Sequence, residues 1–203
     1  MQERAVETRS VVLQAAAVIF ERRGYAAATI AEILQEAGVT KGAAYFHFGS
    51  KEALARAVVA EQFVWRRCQT LDDEDPLQHL VDLSYLFAQA LQSDVQVQAS
   101  IRLTLERNTF ERQPGEANPY ELWLNDAHTH FDAAAARGEL AVPVEAAANL
   151  LVACVTGGQL ISEAVSARED LTDRTHAMWQ LLAPTLASAD RAAALDLRPL
   201  RDR

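Results

Sequence analysis

The stretch TKGAAYFHFGSK, Thr40 to Lys51, gathers hydrogen-bond donors of the kind that suit anions and base edges. Lys41 can donate to guanine O6 or N7 or to a phosphate. Tyr45 and His47 carry polar tips suited to phosphates. Gly42 and Ala43 keep the intervening surface low, so a backbone can approach a groove closely. Phe46 and Phe48 are expected to anchor the segment to a core. Thr29, Thr40 and Lys51 fall where helix N-termini are expected, and the open N–H groups there also bind phosphate. The same spacing also fits a helical hairpin whose aromatics only fill a core.

No comparable set supports catalysis. The chain has no G-x-S-x-G, no Walker loop and no G-x-G-x-x-G. His128 and His130 are two apart and would point about 200° from each other on a helix, a poor pair for a shared metal. Cys68 and Cys154 have no C-x-x-C partner and are expected to be reduced thiols. The expectation is a non-enzyme with no cofactor and no metal.

Short helices must hold the polar set. Val12, Ala16, Ile19 and Phe20 form one apolar stripe, which predicts a helix over about 8–23 ended by a left-handed Gly24. Thr29 and Glu32 fit a capping box for a second helix that stops at Gly38. Only Val39 and Thr40 remain before a third, short helix over about 41–46. Ser50 then caps a longer one. Two helices joined by so tight a turn are a helix-turn-helix, whose second helix lies in the major groove of DNA.

Charge divides the 203 residues in the same place. Residues 1–67 carry nine Lys and Arg against seven Asp and Glu, while the chain as a whole has net charge −9. An acidic remainder argues against nonspecific coating of DNA or anionic membrane, yet leaves a basic face possible at the front. Half of the residues are apolar, and glycine and proline are scarce. That composition predicts an all-α fold. No uncharged apolar run reaches about 18 residues, so a membrane span is not expected, and the charged start suits a cytoplasmic protein.

Beyond residue 68, helices are predicted near 77–92, 95–110, 119–137, 143–167 and 172–188, with Asn118 and Pro119 opening the third of these. Gly157 and Gly158 each cost about 1 kcal/mol in a helix interior, so close packing or space for a ligand should compensate. A flat aromatic (Trp123), a hydroxyl (Thr156) and an amide (Gln62), with Phe63, Tyr85 and Phe87, suit a small, largely apolar ligand. Singly, each is as easily a core or surface residue. The helices near 143–167 and 172–188, the latter with Trp179, are expected to form a dimer core.

The run TIAEILQEAGVTKGAAYFHFGSKEALARAV, preceded by AAAVIFERRGY, resembles the DNA-binding domain of the TetR family of transcriptional repressors over about residues 8–58. Ala44 departs from the leucine often found there, which puts the tilt of the recognition helix in question. The PY-x-x-W segment ending at Trp123, Gln62 and the C-V-x-G helix are similar to the γ-butyrolactone-type receptors of that family. The resemblance implies a helix-turn-helix domain over 1–50 and a helical ligand-binding and dimerisation domain over 51–203, with about nine helices. It implies a homodimer that binds double-stranded, near-palindromic operator DNA and is released by a small diffusible signal (butyrolactone, butenolide or furan). Thr29, Thr40, Lys41, Gly42, Ala43, Tyr45, His47 and Lys51 would face DNA. Gln62, Phe63, Tyr85, Phe87, Trp123 and Thr156 would face the ligand. A regulator of efflux or catabolic genes answering to another hydrophobic ligand, or a sensor that has lost DNA binding, is the alternative.

Overall fold

The computed structural model describes residues 2–40, 48–72, 74–106 and 118–200. Among the described residues there are nine helices and no strand. They are α1 (Gln2–Ala27), α2 (Ile30–Ala37), α3 (Lys51–Cys68), α4 (Pro76–Ser93), α5 (Val95–Leu105), α6 (Pro119–Ala136), α7 (Val144–Ser166), α8 (Leu171–Leu186) and α9 (Ala189–Ala194). The expected all-α class holds. Packing divides the chain into two compact units, one of Met1–Cys68 with Asp94–Glu116, the other of Gln69–Ser93 with Ala117–Arg203.

The first unit holds α1, α2, α3 and α5. Its core contains the expected stripe of Val12, Ala16, Ile19 and Phe20, joined by Ile33, Leu54, Val58 and Leu103. Residues 51–68 therefore pack with the front of the chain, whereas the expected boundary lay at 50. The reason is the apolar side of α3: Leu54, Ala55 and Val58 close the same core. α1 also differs from expectation. Gly24 does not stop the helix in the left-handed region; at φ 72 and ψ 172 it kinks the chain, which continues to Ala27.

The second unit holds α4 and α6 to α9. Tyr85, Phe131, Trp179, Leu182 and Leu186 fill its core, and Ala134, Ala147 and Ala148 let helices approach closely. Asn118 and Glu121 form a capping box with Pro119 in the first turn of α6, as the dipeptide suggested. The short α9 was not expected; it brings Leu195, Leu197 and Leu200 back against the core. There Tyr85 donates its hydroxyl to the Leu197 carbonyl at 2.6 Å, and His176 Nδ1 lies 2.8 Å from the same oxygen.

α7 is long and apolar enough to cross a membrane by length and composition. It nevertheless sends Ala147, Ala148 and Leu151 into the core and buries two polar side chains, Gln159 and Ser162. Trp179, expected at a dimer interface, is buried inside this unit at 1% exposure. The apolar side chains that α7 and α8 leave outside are others, led by Leu181 at 74% and Val165 at 71%.

Candidate functional site

Lys41, Gly42, Ala43, Tyr45 and His47, with Ala44 and Phe46 between them, lie outside the described residues. The frame on either side is described. α2 begins at Thr29, whose hydroxyl accepts the Glu32 N–H, and ends at Gly38 in the left-handed region (φ 64, ψ 25). Val39 N–H then bonds the Leu34 carbonyl at 3.3 Å, a 6→1 closure that turns the chain sharply. Thr40 is exposed. Phe48 packs on the first unit's core with the Arg9 guanidinium 5.2 Å from its ring centroid. Ser50 caps α3 by accepting the Ala53 N–H at 3.0 Å.

Two members of the expected DNA-facing set are already engaged. The Thr29 hydroxyl and N–H both donate to the Glu32 carboxylate, at 2.8 and 3.1 Å. The hydroxyl bond, aided by the nearby arginines, holds the Glu32 carboxyl below the usual carboxylate range. Arg23 closes on the same group at 3.0 Å. A phosphate arriving at Thr29 must therefore displace or swing aside a carboxylate. Lys51 donates to the Ala26 carbonyl at 3.3 Å and sits 4.5 Å from the Tyr25 ring centroid, ammonium over aromatic face. Partial burial lowers its pKa. Lys51 thus brackets the start of α3 to the end of α1.

α5 is fastened to both of those helices. At the kink, Tyr25 N–H donates to Glu106 at 2.7 Å, Arg102 pairs with Glu106 at 3.0 Å, and the same guanidinium donates to the Glu21 carbonyl. Toward α3 the link is Gln62, wholly buried, whose amide donates to Thr104 Oγ1 at 3.2 Å and to Val59 O at 3.0 Å. Gln62 was expected to contact ligand; its NH₂ group is occupied within the first unit. Phe63 is half-buried on the same helix.

The second unit contains a partly open pocket with about 320 Å³ of empty space, the solvent at its mouth included. Its wall comes from α4 (Ser84, Phe87, Ala88, Leu91), α7 (Cys154, Val155, Gly158, Gln159) and α8 (Leu171, Arg174, Thr175, Met178). Of the residues expected around a ligand, Phe87 lines it, and Trp123 packs on Phe87 with ring centroids 5.3 Å apart. Tyr85 is not in the wall, its hydroxyl being committed to Leu197 and His176. Thr156 is half-buried beside lining residues without being one of them. A Cβ placed at Gly157 or Gly158 would meet nothing within 4 Å, so the two glycines leave open space, not a tight contact.

Residue type gave no warning of Gln159, Arg174 or Thr175. The one signal was Gly158, which helix economy makes anomalous. Below the cavity, Asp170 secures the corner between α7 and α8. It accepts from Ser162 at 2.5 Å, Ser166 at 2.7 Å and Arg174 Nε at 2.7 Å. Those bonds, Ser162 first, hold its carboxyl below the ordinary value.

Residues 12–58 match the family model of bacterial regulatory proteins, tetR family. TylP, described as a TetR regulator from Streptomyces fradiae, is 38% identical in its full-length native crystal structure. It superposes with a TM-score of 0.78 over 98% of this chain and 88% of its own. This chain belongs to the TetR family. Within that family it is also 39% identical over 191 residues to the A-factor receptor protein of Streptomyces griseus, covering 92% of this chain. It spans 66% of that relative's length. A crystal structure of a gamma-butyrolactone receptor (ArpA-like protein) is 29% identical, with a TM-score of 0.72 over 94% of this chain and 93% of its own. The TetR match covers the capped α2 and the turn at Gly38, and the similarity to the A-factor receptor protein and to the gamma-butyrolactone receptor runs along most of the chain.

Proposed function

We propose that this protein is a homodimeric transcriptional repressor of the cytoplasm. It binds a near-palindromic operator through residues 29–51 and lets go when a small lactone-type signal enters the cavity of the second unit. It is a binding protein and catalyses no reaction. The observation that carries this reading is the chain path out of the cavity. α4, whose Phe87 and Leu91 form one wall, ends at Ser93, and α5 starts two residues later under the Asp94 cap. α5 is in turn fastened to α1 through Glu106 and Arg102 and to α3 through Thr104 and Gln62. A ligand that shifts α4 therefore pulls on the helix that holds both neighbours of the DNA-reading segment.

Release requires the signal to favour the conformer that fits DNA poorly. A coupling of about 1–3 kcal/mol changes operator affinity by roughly 5- to 150-fold. Similarity to the A-factor and gamma-butyrolactone receptors supports a lactone as the signal. Lys41, Tyr45 and His47, with Thr40 and the N-termini at Thr29 and Lys51, are the proposed DNA contacts; Phe87 and Trp123 are proposed for the ligand. The second copy covers the exposed apolar side chains of α7 and α8, Ile161, Val165 and Leu181.

Gel-shift titration against the DNA flanking its own gene, with and without extract of the producing culture, tests the reading. Lys41→Ala and Tyr45→Ala are expected to lose specific binding while remaining folded dimers. Wild-type binding by both variants would remove this segment from DNA recognition. Affinity should also fall steeply with salt, because each phosphate contact releases condensed counterions.

A further inference from the structure

Gln159 is the one polar side chain of the cavity wall whose need is unmet. It is 2% exposed, lies in the middle of α7 and lines the cavity. Its side-chain carbonyl Oε1 is buried and accepts no hydrogen bond among the described residues. A buried acceptor left in that state is costly, and native structures keep few of them without a reason.

The two hydroxyls of the wall give their protons elsewhere and do not serve Gln159. Ser84 gives its proton to the Leu80 carbonyl at 2.7 Å, and Thr175 gives its own to the Leu171 carbonyl at 2.9 Å. Both hydroxyls then present only lone pairs to the cavity. Arg174 brings the guanidinium donors, with its Nε edge held by Asp170 at 2.7 Å. The wall is therefore apolar, rich in acceptors, and carries one cationic donor.

We propose that Gln159 selects ligands carrying a hydroxyl or N–H group, which donates to its Oε1, on an otherwise apolar body whose own oxygen acceptor meets Arg174. This inference rests on the ligand-release reading above and narrows its ligand class. A purely hydrocarbon or fully etherified ligand meets the wall's apolar side chains but leaves the Gln159 acceptor unpaired. Loss of one such bond to a buried acceptor corresponds to about tenfold or more in affinity.

Calorimetric titration of the full chain with two matched pairs tests the proposal. One pair is an octyl-substituted γ-lactone with a free ring hydroxyl and its methyl ether; the other is 4-hexylphenol and 4-hexylanisole. Wild type is expected to prefer the hydroxyl member at least tenfold in a pair that it binds. Gln159→Leu is expected to bind both members alike. If that variant does not melt as a folded protein, Gln159→Met, of matching length, takes its place. Discrimination within the phenol pair, with neither lactone bound, would sink the lactone signal and leave the Gln159 assignment standing. Equal binding within the pairs, binding of none of the four, or a preference that survives in the variants would overturn the assignment.

Discussion

Gly24→Ala strikes the point where three helices of the first unit are fastened together. At φ 72 and ψ 172 the backbone occupies a region open essentially to glycine alone, and forcing a side chain into it costs about 1–3 kcal/mol. The space is occupied as well. An added Cβ would lie 2.6 Å from Glu106 Oε1 and 3.2 Å from Arg102 Nη2. The carboxylate can swing away, but only by giving up its 2.7 Å bond from Tyr25 N–H. A hydrogen bond to a charged group is worth about 1.5–3 kcal/mol, and a swung carboxylate recovers part of that from water. The expected total is about 2–4 kcal/mol, or roughly 4–16 °C in Tm for a chain of this size. Urea unfolding of wild type, Gly24→Ala, Glu106→Ala and the double variant measures it. Because the glycine substitution already breaks the Glu106 bond, the double variant should cost about 1–2 kcal/mol less than the two singles added together. Strict additivity, or a Gly24→Ala cost under about 0.5 kcal/mol, would refute the clasp. Operator affinity should fall in Gly24→Ala while ligand binding by the second unit persists.

Other perturbations test the remaining parts. Trp123→Ala removes the ring that backs Phe87, and gel shifts should show a repressor that holds DNA but resists its signal. Gly158→Leu projects into the cavity, so calorimetry should show at least tenfold weaker ligand binding, with thermal stability unchanged or raised by up to about 1 kcal/mol from helix propensity. The Asp170 carboxyl titrates below its unfolded value, so the stability it lends is present above the ordinary carboxylate range and fades as pH falls through the folded pKa. Wild type should therefore melt above Asp170→Asn at pH 7, with the gap closing as pH falls below the ordinary carboxylate range. Leu181→Glu combined with Val165→Glu should yield monomers by light scattering, and that double variant should lose specific operator binding.

Much of the first unit was legible because its signals are local. A threonine three residues before a glutamate specifies a capping box within one turn, and a glycine after an apolar stripe marks where the regular helix ends. Gly24 shows the limit of such reading. Its type announced an unusual backbone, but the carboxylate packed against it comes from 82 positions away, which no local pattern records. The packing units depart from the boundary expected at 50 for a related reason. The apolar face of α3 looks the same whichever core it joins, and only packing assigns Leu54 and Val58 to the first one.

The ligand end divides in the same way. Residue type picked out Phe87 and Trp123 within a set of aromatic, hydroxyl and amide side chains suited to a small apolar ligand, and these two do pack together. The same logic chose Gln62 and Tyr85, whose polar atoms turned out to be used by Thr104 and by the returning Leu197. An amide or a phenol is equally able to meet a ligand or a neighbouring helix. Sequence by itself determined the helical class, the capped turn at Gly38 and the resemblance that names the family. The tertiary structure decided which polar groups find partners inside the protein. Those bonds join residues tens of positions apart, and Gln159 was left facing a cavity with its acceptor unused.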